Sequence, residues 1–205
     1  MHRELSRFGL LWLKFIGCTR EFGLLESLRR TRKETLRALS KRSSSLDISW
    51  IDERTAIGAA PKSPAHMEEL KALGVTDIID LRAERNGQAE SMFHTAGIHS
   101  FWVPTYDDWL PKGRDFFAQL CHQLAAIHQD PGRRLLICCG AGEHRAPLGG
   151  VVALIVQGHC LESAQRVVED ARPVAELLPP YLSSLREYVE SELHTCADRC
   201  NEWQK

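Results

Sequence analysis

Residues 133–154, RRLLICCGAGEHRAPLGGVVAL, have the pattern of a buried strand, a short loop and a helix. The first apolar run ends at Cys138 and Cys139, and a second begins after Arg145 and Pro147. A loop that joins a strand to a helix N-terminus collects backbone N–H groups at one point, which suits an anion. Pro147 fits the first helical turn because its missing N–H would be unpaired there anyway. The stretch therefore predicts a strand followed by an anion-binding loop.

The spacing of Cys139 and Arg145 gives this loop a specific chemistry. The helix dipole and the nearby guanidinium favour the thiolate form of Cys139, which is the nucleophilic form. Arg145 lies six residues later and can hold two phosphate oxygens in a fork. Gly140 and Gly142 allow the crowded or left-handed backbone of a cradle, so the pattern predicts a nucleophilic sulfur beneath a bound phosphate. The predicted phosphate-binding loop comprises Gly140, Ala141, Gly142, Glu143, His144 and Arg145.

The stretch CCGAGEHRAP, residues 138–147, resembles the His-Cys-x-x-Gly-x-x-Arg-Ser/Thr loop of the cysteine-dependent protein phosphatases, and in particular their dual-specificity branch. The resemblance covers roughly residues 48–190. Its other parts are WIDERTAIGAAP (50–61), HMEELKALGVTDIIDLRAE (66–84) and LESAQRVVEDARP (161–173). It implies a nucleophile at Cys139, phosphate binding by Arg145, and phosphotyrosine as substrate, with phosphoserine and phosphothreonine as further candidates.

The same family uses an aspartic acid on an upstream loop, placed as Pro, two residues, then Asp. In FWVPTYDDWLPKG, residues 101–113, that pattern matches Asp107, and Asp108 remains an alternative. The acid protonates the leaving oxygen, and its carboxylate then activates the water that hydrolyses the phosphocysteine. Asp108 could equally be a solvated loop carboxylate. Trp109 either walls the pocket or anchors the loop.

Two positions depart from the family pattern. Cys138 replaces the usual His before the nucleophile, and we expect its side chain to point into the core as a small hydrophobe. The alternative is a redox role, in which Cys138 or another thiol traps oxidised Cys139. Ala146 replaces the usual Ser or Thr, whose hydroxyl helps to expel the thiolate. Its loss predicts slow hydrolysis of the phosphoenzyme without loss of the first step.

Other charged residues lie in or near the predicted site. An acid near a phosphate dianion reduces attraction, so we expect Glu143 to face outward. His144 could contact substrate or face solvent. For Asp80, Arg82 and Glu84, at the end of a predicted strand, we expect structural ion pairs rather than substrate contacts.

Charge is distributed unevenly along the 205 residues, of which 43% are hydrophobic and 26% charged. Residues 1–48 hold 11 lysines and arginines against five acidic residues, whereas the remainder is acidic. We predict a basic helical N-terminal extension over residues 1–47, a phosphatase domain over 48–195 and a C-terminal tail over 196–205.

The predicted extension allows three interpretations. Its most apolar run, FGLLWLKFIG at residues 8–17, is too short to span a bilayer. A cleaved signal peptide is opposed by Glu4 and Lys14. Residues 8–42 could instead lie on an anionic membrane surface, or form helix that packs on the domain or on a partner.

From Ile48 onward, strand-like and helix-like segments alternate. The predicted strands are ISWID, TAIGA, VTDIIDL, IHSFWVP and RRLLICC, and the predicted helices are SPAHMEELKALG, PKGRDFFAQLCHQLAAIHQD, APLGGVVALIVQG, LESAQRVVEDARP and PPYLSSLREYVESEL. This alternation predicts an α/β fold with a central, mainly parallel sheet flanked by helices, as in dual-specificity phosphatases, plus the helical N-terminal extension.

The seven cysteines include the adjacent pair Cys138 and Cys139, which is unlike a secreted disulfide framework. This use of cysteine indicates a protein of a reducing compartment. We therefore expect a cytoplasmic protein, with membrane-surface association as an option. A metal site at His194, Cys196 and Cys200 would lack a fourth ligand nearby. We therefore expect no metal, no cofactor and no nucleic-acid partner.

Together these features predict a phosphomonoester hydrolase that forms a phosphocysteine at Cys139 and acts on phosphorylated proteins. Two alternatives remain open at this point. One is a phosphatase of a phosphoglucan, a lipid phosphate or another non-protein ester, and the basic extension and the Ala-Pro after Arg145 favour it. The other is a weakly active phosphate-binding module, which Cys138 and Ala146 favour and the retained Asp107 opposes.

Overall fold

A five-stranded sheet organises the chain, of which the computed structural model describes residues 7–24, 27–28, 45–85 and 87–202. The strands are β1 (Ile48–Trp50), β2 (Thr55–Ala59), β3 (Asp77–Arg82), β4 (His99–Thr105) and β5 (Leu135–Cys139). Their order in the sheet is β1-β2-β5-β3-β4, and only the β1–β2 pair is antiparallel. The predicted α/β fold with a mainly parallel sheet is confirmed.

Helices cover both faces of this sheet. They are α1 (Arg7–Phe22), α2 (Pro64–Ala72), α3 (Gly87–Thr95), α4 (Arg114–His128), α5 (Arg145–Val156), α6 (Leu161–Ala171) and α7 (Pro179–Glu202). One apolar cluster joins the sheet to α2 and α3, and a larger one joins it to α4, α5, α6 and α7. No helix in the described ranges is long and apolar enough to cross a membrane.

The central strand β5 determines where its two cysteines point. Successive side chains of a strand face opposite sides of the sheet. Leu136 and Cys138 therefore pack in the cluster under α2 and α3, whereas Ile137 and Cys139 belong to the larger cluster. Cys139 pairs with Ala59 at the last step of the parallel ladder, so its sulfur lies at the carboxyl edge of the sheet, where α5 begins.

The local signals for α2 operate as predicted. Ser63 caps the helix by accepting a hydrogen bond from the backbone N–H of His66 at 3.3 Å, and Pro64 occupies the first turn. The predicted strand IHSFWVP is displaced by one residue, because β4 begins at His99 and continues past Pro104 to Thr105.

Helix α3 was not predicted from the sequence. Its residues, GQAESMFHT, include several weak helix formers, so local preference does not identify the helix. Tertiary contacts stabilise it instead: Phe93 is fully buried, and Arg85 forms a 2.9 Å ion pair with Glu90.

The predicted extension is described only in part. Helix α1 lies within it, but residues 25–26 and 29–44 of the extension lie outside the described residues. Helix α7 runs to Glu202, past residue 195. The domain boundaries at residues 47 and 195 stay predictions.

Candidate active site

The predicted phosphate-binding loop, residues 140–145, follows β5 and enters α5 at the carboxyl edge of the sheet. It borders a cavity of about 430 Å³. Among the residues that line this cavity are Lys14, Glu84, Asp107, Cys139, His144 and Arg145. The fold therefore brings the three predicted catalytic residues to one cavity, although Asp107 lies on the loop after β4 and Cys139 ends β5.

Arg145 is buried, and its guanidinium is fixed by Glu84. Its two terminal nitrogens donate to the two Glu84 oxygens at 2.8 and 2.7 Å, and Nη1 also donates to the carbonyl of Thr105 at 3.1 Å. Burial alone would lower the pKa of Arg145, but the hydrogen bonds to Glu84 and the nearby Asp107 charge raise it above its usual value. The Arg145 Nε has no acceptor among the described residues, and Arg145 lines the cavity.

The role of Glu84 was only partly predicted. Asp80 and Arg82 form the expected structural ion pair, with Nη2 and Oδ2 2.7 Å apart. Glu84 also forms an ion pair, but with Arg145, so it belongs to the site itself. Burial would raise the Glu84 pKa, yet the hydrogen bond and charge of Arg145 lower it, so the carboxylate stays ionised.

Arg172 braces the backbone of the phosphate-binding loop. Its Nε donates to the carbonyl of Gly142 at 2.6 Å, and its Nη2 donates to that of Ala141 at 3.4 Å. Its Nη1 reaches Asp47 at 3.1 Å and the Ser49 hydroxyl at 3.3 Å. The only sequence signal for this brace was the Arg-Pro that ends LESAQRVVEDARP, which assigned no role to the side chain.

Gly142 is required at its position in the loop. Its φ is +71°, and a Cβ there would lie 2.4 Å from the carbonyl carbon of Gly58. A side chain at this point would therefore clash with the neighbouring strand β2 as well as strain the backbone. The backbone at Gly142 is therefore left-handed and crowded, as expected, and its part in phosphate binding stays a prediction.

Asp107 is surrounded by donors. Its Oδ2 lies 2.9 Å from Lys14 Nζ, and its Oδ1 lies 3.1 Å from His144 Nδ1 and accepts from the Tyr181 hydroxyl at 3.4 Å. Burial would raise the pKa of this carboxyl, but the charges of Lys14, His144 and Arg145 hold it well below its usual value. Asp107 is therefore ionised when the cavity holds no substrate.

The neighbouring Asp108 has a different environment. It forms an ion pair with Lys112, accepts a hydrogen bond from the Leu110 backbone N–H at 3.1 Å, and does not line the cavity. Trp109 is buried with φ at +61°, and its backbone N–H donates to the Tyr181 hydroxyl at 3.3 Å. Of the two interpretations of Trp109, the structure supports loop anchoring.

His144 is buried, so a solvent-facing side chain is excluded. Its ring lies 3.1 Å from Asp107 and 3.6 Å from Glu176, with Trp109 packed edge-on. Burial lowers its pKa, but the charge of Asp107 and the hydrogen bonds to Asp107 and Glu176 outweigh this and raise the pKa to about 9. His144 is thus a cation at neutral pH that bridges the two loops.

The expected outward orientation of Glu143 is wrong. Glu143 is only 8% exposed and contributes to the cavity wall. The physical reason is the loop backbone: the carbonyl of Glu143 accepts from the N–H of Glu176 at 2.7 Å, and Arg172 holds the preceding carbonyl. These bonds turn the loop inward at this residue.

Cys138 is fully buried, which confirms the core interpretation, and burial raises its thiol pKa well above the usual value. The alternative, in which Cys138 or another thiol traps oxidised Cys139, stays a prediction. Ala146 is also fully buried, in the first turn of α5 beside the site.

The chain is similar to known phosphatases in sequence and in structure. Residues 46–195 match the family model described as Swiss Army Knife protein, DSP-PTPase phosphatase domain. Human dual specificity phosphatase 28 is 28% identical over 138 residues, which cover 66% of this chain and 73% of the relative. Its crystal structure gives a TM-score of 0.58 at 27% identity, covering 71% of this chain and 95% of the other. The crystal structure of PTPMT1 gives a TM-score of 0.63 at 20% identity, covering 74% of this chain and 99% of the other. At this identity the similarity shows a shared fold.

Proposed function

The chain belongs to the DSP-PTPase phosphatase domain family and is a cysteine-dependent phosphatase, and we propose that Cys139, Arg145 and Asp107 carry out its reaction. Membership confirms the predicted dual-specificity resemblance and the predicted protein-phosphatase function. The phosphoglucan, lipid-phosphate and binding-module alternatives are not favoured over it. The observation that carries the residue assignment is the single cavity that Cys139, Arg145 and Asp107 line together.

In the first step, the Cys139 sulfur attacks phosphorus as the bond to the leaving oxygen breaks. The sulfur–phosphorus bond forms on one side, and Asp107, whose protonated form is favoured by the negative charge of the bound phosphate, gives its proton to the departing oxygen. The loop N–H groups and Arg145 hold the remaining phosphate oxygens, where charge accumulates in the transition state. Glu84 supports this step indirectly, because it fixes the Arg145 guanidinium through two hydrogen bonds.

In the second step, water replaces the cysteine. The Asp107 carboxylate takes a proton from the water, the water oxygen attacks phosphorus, and the sulfur–phosphorus bond breaks. Inorganic phosphate and the Cys139 thiolate are the products. Ala146 offers no hydroxyl to the departing thiolate, so this step is proposed to limit turnover.

Stopped-flow turnover of p-nitrophenyl phosphate tests this proposal directly. We expect a burst of about one nitrophenol per enzyme, followed by slower turnover, because a covalent intermediate accumulates. Cys139→Ser should abolish both phases. Cys160→Ser is the matched control, since Cys160 is exposed and lies outside the cavity. Turnover that survives in Cys139→Ser would overturn the assignment of the nucleophile.

We further propose that the substrates are phosphotyrosine and phosphoserine or phosphothreonine in proteins. The name of the human relative, a dual specificity phosphatase, supports this range. A panel of phosphopeptides should be hydrolysed with higher kcat/KM than a phosphoglucan or a lipid phosphate. The reverse order would redirect the assignment to a non-protein ester.

The predicted cytoplasmic location and membrane contact through residues 8–42 stay proposals. One observation favours the contact: Trp12 and Ile16, one turn apart on α1, are 59% and 37% exposed. Apolar side chains beside a basic segment suit an anionic interface. Co-sedimentation with anionic vesicles should fall in Trp12→Ser, and binding equal to that of the wild type would remove this proposal.

A further inference from the structure

Helix α1 docks against the loop that carries Asp107. Cys18 is 3% exposed and packs in the larger apolar cluster together with Trp109. Gly17 permits a close approach, since a Cβ there would lie 2.4 Å from the carbonyl oxygen of Asp108. The helix is therefore fitted to residues 107–109, the part of the loop from which Asp107 lines the cavity.

This docking brings Lys14 to the cavity. Lys14 lies one turn before Cys18 and so shares its helix face. Its Nζ is 2.9 Å from Asp107 Oδ2 and 5.8 Å from the centre of the Trp109 ring. The two side chains of the ion pair are 19% and 25% exposed, so the pair is partly shielded from water and stronger than a fully exposed one.

Ionisable groups face Asp107 from several elements. They are Lys14 on α1, Glu84 after β3, Lys112 and Asp108 on its own loop, His144 and Arg145 at the phosphate-binding loop, and Tyr181 on α7. Of these, Lys14 alone lies outside residues 46–195, the range that matches the family model. Its charge thus comes from outside the matched domain.

We propose that Lys14 is a positioning residue for Asp107: its ammonium holds the carboxylate in the cavity and sets the pH range in which Asp107 can donate a proton. The inference rests on the proposed function, because it concerns the proton donor of that reaction. It assigns a catalytic consequence to helix α1.

The sign of the effect follows from electrostatics. A neighbouring cation favours the ionised carboxylate, so removing it keeps Asp107 protonated to higher pH. In a plot of the first-step rate constant against pH, the fall on the alkaline side (the alkaline limb) should then move to higher pH. A poor leaving group needs the proton more than a good one does, so phenyl phosphate should respond more strongly than p-nitrophenyl phosphate.

The test compares burst rate constants across pH for the wild type, Lys14→Met, Lys14→Arg and Arg20→Met. For Lys14→Met we expect the alkaline limb to rise by about one pH unit, the low end for an adjacent opposite charge. On that limb the phenyl phosphate rate should increase roughly tenfold, in proportion to the protonated fraction of the acid. Lys14→Arg should retain the wild-type profile. Arg20→Met removes a charge from an exposed position of the same helix and should change nothing.

A second readout needs no turnover. The ¹³C carboxyl resonance of Asp107 should titrate at higher pH in Lys14→Met and at the wild-type pH in Lys14→Arg. Identical titrations in the wild type and Lys14→Met would overturn the inference, and so would an equal loss of rate at every pH for both substrates. Failure of the proposed function is separately visible as a wild-type enzyme without a Cys139-dependent burst.

Discussion

The phosphate-binding loop and the loop that carries Asp107 meet in one cavity, but different forces hold them. The first is held by hydrogen bonds from Arg172 to its backbone carbonyls and by the paired hydrogen bonds between Glu84 and Arg145. The second is held at Asp107 by ionic contacts to Lys14 and His144.

Because of this difference, a change of pH should affect the two loops differently. Backbone carbonyls do not titrate, and the pKa shifts of Arg145 and Glu84 keep that pair charged across the usual pH range. The contacts of Asp107 involve His144, whose pKa is about 9, so His144 loses its charge when the pH rises above that value. The phosphate cradle should therefore tolerate a change of pH that alters the acid.

The largest effect is expected from removal of the acid. Asp107→Asn should lower the rate of the first step with phenyl phosphate by about 100-fold, the low end of what a general acid contributes. Asp108→Asn is the matched control, because Asp108 pairs with Lys112 and does not line the cavity. Single-turnover kinetics measure both variants. A larger loss in Asp108→Asn would exchange the roles of the two residues.

The next effect concerns the brace of the cradle. Arg172→Met removes the donors to Gly142 and Ala141 and should lower kcat/KM about tenfold, because small displacements of a binding loop are costly. The alkaline limb of the pH profile should stay in place, since Asp107 keeps its partners. Arg166→Met, at an exposed position of α6, the helix that ends just before Arg172, is the control. Equal kcat/KM in the two variants would show that the loop does not need this brace.

These long-range contacts mark the limit of what the sequence predicts. Cys139, Arg145 and the strand-loop-helix around them were predictable because strand, turn and helix preferences are local and the spacing is short. Partners distant in the chain were not: Glu84 is 61 residues from Arg145, and Lys14 is 93 residues from Asp107. Such pairs exist only once the sheet order and the docking of α1 are fixed.

A smaller effect is expected from pH on stability. The folded pKa of His144 is about 9, above the usual value near 6.5 for an unfolded chain. Its contribution to stability is therefore full below about pH 6.5 and is lost as pH rises through about 9. Thermal unfolding should show Tm falling across this interval, and His144→Asn should reduce the fall. His159→Asn, at an exposed position, should leave it unchanged. If Tm falls as much in His144→Asn as in the wild type, another group must cause the fall.

The smallest effect is expected at Ala146, which has the position of the family hydroxyl. In Ala146→Ser the new hydroxyl can donate to the departing Cys139 sulfur. One net hydrogen bond of about 1 kcal/mol would speed phosphoenzyme hydrolysis about fivefold. The burst should shrink relative to steady turnover, while the first step keeps its rate.

Ala153→Ser is the control for this change, because it adds a hydroxyl at another fully buried position of α5, two turns farther along the helix. Any cost of burying the hydroxyl appears in both variants, whereas faster hydrolysis should appear only in Ala146→Ser. An unchanged burst in Ala146→Ser, with normal binding of inorganic phosphate, would mean that expulsion of the thiolate does not limit turnover. The slow step would then have to lie elsewhere, with activation of water by Asp107 as the next step to measure.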